Sequence, residues 1–465
     1  MVAIRSWARL LPLVAAAALS TGGPPRADDR PTAGQRILEA ARSDSRAYEK
    51  LAWLTDRIGH RLSGSANLER AVTWAAEELR RDGLEHVWTE EVLVPRWIRG
   101  RELARIVAPT EHRLAILTLG GSAPTPTGGI TGEVVEVDSL ETLRGLGERV
   151  RGKIVLFNRE MQRGFSAENG YGALSPLRGD GPGEAGRLGA IAALVRSLGT
   201  ASFRLPHTGA TKYPEDGPKI PAAAVSAEDA MLIGRLLAAG ETVRIELDLG
   251  CKTLPDVPSA NVLAEIRGRE KPDEVVLIGA HLDSWDVGTG ATDDGAGCAM
   301  VLETMRLVSK LGLAPRRTLR AVLFTNEENG LRGGRDYAER HLAEMPLHVA
   351  AIEADSGGAP PVAFGVSAGP GGAETVRELV RALADLGVKD VFPRGGGADI
   401  SPMRNHGVPQ IGHMPDSTYY FDYHHTEADT LDKVDRAALD KNVAALAYLA
   451  FALADAETPL PRLEE

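Results

Sequence analysis

A chain of 465 residues with a formal charge of −11 exceeds what one hydrophobic core usually organises, so two domains, or one domain carrying a large insertion, are expected. Hydrophobic residues at 43% and charged residues at 25% are the balance of an ordinary soluble globular protein. The acidic excess is spread along the chain and not gathered into a tail, which argues against nucleic acid as a partner.

Residues 1–27 read as a secretory signal peptide: Arg5 and Arg9 form a basic start, Leu10 to Leu19 an apolar stretch, and Ala18-Leu19-Ser20 or Pro25-Arg26-Ala27 a small-residue exit. This predicts a secreted or periplasmic protein. The apolar stretch is too short to span a bilayer, and no cysteine near its end offers a lipid anchor. Cys251 and Cys298, the only cysteines, fall at a strand end and on a buried helix, so no disulfide is expected.

Helices are predicted over Gln35 to Gly59 and Asn67 to Gly83, the second with Leu68, Val72, Ala75 and Leu79 on one face and Gly83 as its stop. A strand with Val92, Val94 and Trp97 follows. From His112 the texture changes: strands at Ile130 to Val137 and Lys153 to Asn158, a helix capped by Ser226 and Asp229, and few clustered ligand-type residues. We read residues 112–250 as an inserted domain with a mobile loop over Gly164 to Gly183. Residues 28–111 and 251–465 then form the principal domain.

That remainder alternates strand and helix: Val275 to Gly279, Ala299 to Leu311, Leu319 to Phe324, Val349 to Ala354, Val376 to Leu386. The fold class expected is α/β, a mostly parallel sheet with helices on both faces. Open sheets of this kind hold their sites beyond the carboxyl ends of the strands, and the chemically suggestive residues fall there.

His281 and Asp283, two apart at a strand end, project to the same side. His281 can hold a metal while Asp283 steadies it, although an Asp there can also cap the next turn. Asp293 and Asp294 are adjacent carboxylates that repel unless a cation lies between them; alone, Asp-Asp-Gly is usually a turn. Glu327 and Glu328 end an apolar strand and point in different directions, so one can bind metal while the other takes a proton from water and returns it to a leaving amine. Asp355 ends another apolar strand, where a carboxylate could merely cap the next element. His424 and His425 form a pair in a chain with only 11 histidines, and imidazole is a common zinc ligand. His60, His112, His341, His348, His406 and His413 are read as structural. One ion would take His281, Asp293 and Asp355, and a second Asp293, Glu328 and His425. Nitrogen and oxygen donors without thiolate suit two Zn²⁺, with Mn or Co as substitutes.

These residues resemble the M28 family of metallopeptidases, which includes co-catalytic zinc aminopeptidases and glutamate carboxypeptidases. The likeness extends to stretches without ligands, among them Pro206-His207-Thr208-Gly209 and Lys219-Ile220-Pro221. It implies that His281, Asp293, Glu328, Asp355 and His425 bind zinc, with Asp293 bridging, Glu327 as general base and Asp283 as the carboxylate behind His281. It implies a cis Asp293–Asp294 bond, and an insert similar to a protease-associated (PA) domain, roofing the cleft. Many relatives carry Tyr before the last ligand; His424 stands here and is expected to hydrogen-bond the oxyanion.

The activity expected is that of an exopeptidase on dipeptides or short peptides, with an aminopeptidase as the alternative and a homodimer suggested by the family. Arg394 and Asp399 are candidates for reading the substrate's carboxylate and ammonium. Related folds also serve as metal-free binding ectodomains or carry out glutaminyl cyclisation on one zinc; the complete ligand set and Glu327 argue against both.

Overall fold

The computed structural model describes residues 31–164 and 166–464; the leader expected over residues 1–27 lies outside them. The N-terminal helices begin on side-chain caps. Thr32 and Gln35 make reciprocal bonds at the start of Ala33–Asp44, and Ser65 accepts from the Leu68 N–H at the start of Ala66–Arg81. The single helix predicted from Gln35 to Gly59 is broken after Asp44 and resumes at Ala47. Ser45, at the end of the first piece, is extended and returns no helical bond.

Strand β1 (His86–Ile98) runs out of this region. Strands β2 (Glu102–Ala108), β3 (His112–Arg113), β4 (Ile116–Thr118), β5 (Ile130–Val137), β6 (Ile154–Phe157), β7 (Ala192–Arg196), β8 (Ala222–Val225) and β9 (Arg244–Leu249) form a sheet of their own, in the order β3-β2-β9-β5-β6-β7-β8-β4. The inserted unit therefore begins at Glu102 and not at His112: β2 pairs with β9 at its far end, a long-range pairing invisible to local patterning. Alternate residues of β6 face two cores, Val155 and Phe157 one and Ile154 and Leu156 the other. A sheet covered on both faces stabilises itself, at roughly 1.5–3 kcal/mol for each large apolar side chain buried.

The chain then returns through β10 (Lys252–Ile266), β11 (Lys271–His281), β12 (Arg317–Phe324), β13 (His348–Glu353), β14 (Pro361–Ser367), β15 (Asp390–Phe392) and β16 (Gln410–Pro415), in the order β1-β10-β12-β11-β13-β16-β14-β15. The expected mostly parallel sheet is in fact mixed. It is parallel at its centre, where β11 lies between β12 and β13 and β13 pairs with β16. Long antiparallel strands β1 and β10 occupy one side, and β14 turns back antiparallel to β16 on the other. Val276, Ile278 and Ala280 of β11 pack with helices Ala296–Lys310 and Arg436–Asp455, whereas Val275 and Leu277 face Tyr337, Ala338 and Met403. Helix Arg436–Asp455 is long and apolar enough to cross a membrane by length and composition, but it packs against Ala33–Asp44 and Ala296–Lys310 within the core.

The Gly164 to Gly183 segment, expected as a mobile loop, contains helix Tyr171–Gly179 and the start of helix Gly181–Arg187. Leu174 and Leu177 anchor it in the insert's core, an apolar pair that the surrounding Gly, Ser and Pro obscure. Both cysteines are buried and free.

Candidate metal centre

The parallel strands β11, β12, β13 and β16 end together, and each delivers part of one cluster. His281 is the last residue of β11, Glu327 and Glu328 follow β12, and Asp355 follows β13. His424 and His425 lie on the loop after β16. His425 and Asn326 adopt left-handed backbone, with φ of 61 and 64, a conformation that non-glycine residues hold only when their surroundings enforce it. At Asn326 the enforcement is visible: its amide donates to Ser63 Oγ at 2.9 Å and accepts from the Arg332 N–H at 3.3 Å.

Asp293 stands at the middle. One carboxylate oxygen, Oδ1, lies 3.2 Å from His281 Nε2, and the other, Oδ2, 3.1 Å from His425 Nε2. On the first side Asp355 Oδ1 is 3.5 Å from His281 Nε2; on the second, Glu328 Oε2 is 3.0 Å from His425 Nε2. All five expected ligands are thus brought together in the two expected sets.

Asp294 and His424 also have atoms within 4.8 Å of these groups and complete two alternative triads. Asp294 is already committed, since its two oxygens accept from the N–H groups of His281 and Gly297, each at 3.1 Å. His424 stacks on His425 with centroids 3.6 Å apart, its Nε2 3.3 Å from Asp293 Oδ2 and its Nδ1 without a partner. Glu328 offers a further donor on that side: its buried oxygen Oε1 has no hydrogen-bond partner, a state that a cation would relieve.

The supports behind these ligands are carbonyls and carboxylates. His281 Nδ1 meets the main-chain carbonyl of Asp283 at 3.0 Å, which turns Nε2 toward the cluster. The Asp283 carboxylate accepts the N–H groups of Glu327 at 2.9 Å and Glu328 at 3.3 Å. The partner of His281 is thus the Asp283 main chain, whereas the carboxylate expected behind His281 stands 3.8 Å from Nδ1 and caps the turn that follows the neighbouring strand. Asp429 accepts from Thr292 N and Oγ1 at 2.8 Å and from Asp293 N at 3.2 Å. Arg61, fully buried, spreads its guanidinium over the carbonyls of Gly59, Leu282, Thr289 and Gly290 at 2.7–3.0 Å, fixing the loop between His281 and Asp293. The Asp293–Asp294 peptide bond is cis. Neither Asp429 nor Arg61 carried a sequence signal, because each works through backbone groups whose positions only the fold defines.

Electrostatics state what the cluster can accept. Burial pushes Glu328 up to about 7 and Asp429 to about 6, and lifts Glu327 well above the carboxylate range, with Asp355 and Glu328 adding to it. Burial would hold His281 and His425 low, but Asp355 beside one and Glu328 beside the other outweigh it and raise both well above the ordinary imidazole value. Crowded carboxylates thus recruit protons onto His281 and His425. A cation at each histidine would replace those protons and satisfy the partnerless oxygens of Asp293 and Glu328, so the donor set fits metal ions bound by nitrogen and oxygen.

The two proposed substrate contacts are placed differently. Arg394 is exposed and pairs with none of these carboxylates. Asp399 is fully buried, with neither carboxylate oxygen hydrogen-bonded. Burial, and then Glu353 and Glu327, raise its pKa well above the usual range. A closed-off Asp399 does not meet solvent as a reader of an ammonium group must.

The family model for peptidase family M28 matches residues 261–450, the span that contains every ligand named above. Carboxypeptidase Q of Mus musculus is 41% identical over 418 residues, 90% of this chain and 87% of its own. The chain belongs to peptidase family M28. The crystal structure of a Peptidase M28 precursor from Shewanella amazonensis superposes with a TM-score of 0.90 at 38% identity, covering 93% of this chain and 98% of the other. An aminopeptidase from Aneurinibacillus, at 22% identity and a TM-score of 0.65 over 93% of this chain and all of its own, shares the fold. This M28 protein is a metallo-exopeptidase.

Proposed function

We propose that this M28 enzyme is an exported dinuclear zinc exopeptidase that cleaves dipeptides or short peptides with free ends. The observation that carries this reading is Asp293, whose two oxygens face His281 and His425 separately, the disposition of a carboxylate shared by two ions. His281 and Asp355 would hold one zinc and Glu328 and His425 the other, with Asp293 common to both. When bound, zinc would supply Lewis acidity toward the scissile carbonyl and toward the attacking water.

Every other step falls to side chains. Glu327, half-buried and near enough to Asp355 and Glu328 for their charges to raise its carboxyl, removes a proton from the attacking water and passes it to the departing nitrogen. Asp283 holds the Glu327 backbone while this happens. His424 donates a hydrogen bond to the carbonyl oxygen as negative charge develops there. His424→Ala is expected to lower kcat by about 10²-fold with little change in metal content, checked by steady-state kinetics and metal analysis; unchanged turnover removes His424 from this role.

Residues 102–249, a PA-like unit in this reading, roof the cleft and restrict entry to small substrates. The match to carboxypeptidase Q favours a free carboxyl end, and an aminopeptidase is the alternative. The deciding experiment sets the purified protein against dipeptides, N-blocked dipeptides and tripeptides, with and without chelator. Hydrolysis of free dipeptides that chelator stops is expected; activity that survives metal removal, or that requires a blocked amino end, overturns the reading.

A further inference from the structure

The inserted unit reaches the metal centre through residues 206–209 and through Tyr171. The segment Pro206-His207-Thr208-Gly209 runs beside the loop that carries His424 and His425, and Thr208 is bonded to His425 twice. Its N–H donates to the His425 carbonyl at 3.0 Å, and its own carbonyl meets His425 Nδ1 at 3.2 Å. His425 thus differs from His281, whose Nδ1 partner comes from its own loop.

Thr208 is held in turn. Arg178, 9% exposed on helix Tyr171–Gly179, donates from NH1 to the same Thr208 carbonyl at 3.2 Å and from NH2 to the Tyr171 hydroxyl at 2.8 Å. The Tyr171 ring meets the edge of His424, with centroids 5.0 Å apart and planes at 84°. The guanidinium also needs the glycine beside it. A Cβ on Gly209, whose φ is +144, would stand 2.2 Å from Arg178 Cζ. One side chain of the insert therefore reaches both histidines of the pair, each through a single intermediary.

We propose that Arg178 is a positioning residue for the metal centre: its fork fixes the Thr208 carbonyl that orients His425 and the Tyr171 ring that backs His424, so that the insert is part of the metal site and not only a roof. A ligating imidazole takes its tautomer and direction from the partner of its other nitrogen, and loss of such a partner typically costs about 10–100-fold in metal affinity. Lysine cannot replace the fork, since a single ammonium does not span a carbonyl and a phenol held by two separate guanidinium nitrogens.

This proposal rests on the reading of the cluster as a zinc site, and zinc affinity, measured by competition with a chromophoric chelator, tests it without recourse to turnover. Arg178→Met, with its fold checked by circular dichroism and thermal melting, is expected to lose about 10–100-fold in affinity for one of two zinc equivalents, and Arg178→Lys a smaller part of that. A folded Arg178→Met with wild-type affinity overturns the proposal. If the Met variant does not fold, the Lys variant decides, and wild-type affinity there overturns the proposal equally. A wild-type chain that takes up no zinc instead sinks the reading of the site itself.

Discussion

Glu327→Gln is expected to lower kcat by roughly 10³–10⁴-fold, the upper part of the range for a positioned general base, while metal content and melting temperature stay at wild-type values. Glutamine preserves the side chain's shape and leaves intact the N–H that Asp283 accepts at 2.9 Å, so the turn after β12 keeps its place. What it removes is proton affinity. Burial, with Asp355 and Glu328, holds the Glu327 carboxyl well above its usual range, and positive charge held between those carboxylates would bring it back toward a working pH. In the proposed mechanism the side chain would then accept a proton from water and release it again to an amine. Steady-state kinetics on a cleaved dipeptide, metal analysis and a thermal melt on the same preparation check this. A Gln variant within tenfold of the wild type would remove Glu327 from proton transfer and leave the cluster as a metal site without its base.

Three of the five proposed ligands, His281, Glu328 and Asp355, were legible in the sequence because each follows a strongly apolar run. Ala321-Val322-Leu323-Phe324 and His348 to Ala354 announce buried strands whatever their partners, and a carboxylate or imidazole just past such a strand must face the edge of a sheet. The sheet's mixed pairing was not legible, because β1 and β14 carry no local mark of direction; their antiparallel partners lie far along the chain. The same holds for the insert's first strand: Glu102–Ala108 reads as the continuation of β1 until β9 returns to pair with it. Arg61, Asp429 and Thr208 were missed for a further reason. Each works on or through main-chain carbonyls and N–H groups, which every residue possesses, so residue type alone does not betray it.

Asp399 shows the converse error. It was a candidate for reading the substrate's ammonium, yet the glycines before it, Gly395-Gly396-Gly397, are there for closeness: a Cβ on Gly397 would lie 2.1 Å from the Glu353 carboxyl carbon, and one on Gly395 2.0 Å from Gly365 backbone. The loop is pressed onto the sheet, and Asp399 goes inward with it.

Asp293→Ala is expected to abolish measurable turnover and to uncouple the protein's stability from metal. In the wild type, ions that bind only the folded chain stabilise it by about 4 kcal/mol per site at a free concentration 1,000 times the dissociation constant, so exhaustive chelation should lower the melting temperature and zinc should restore it. Asp293 alone faces both histidines, and its loss therefore weakens both ion sites at once, whereas Asp355→Ala or Glu328→Ala weakens one. The ordering is the test: chelator should shift the melting temperature most in the wild type, less in the single-side variants, and least in Asp293→Ala. If Asp293→Ala still binds two equivalents of zinc and melts with the wild type's metal dependence, the two sites do not share a carboxylate and the dinuclear arrangement is refuted.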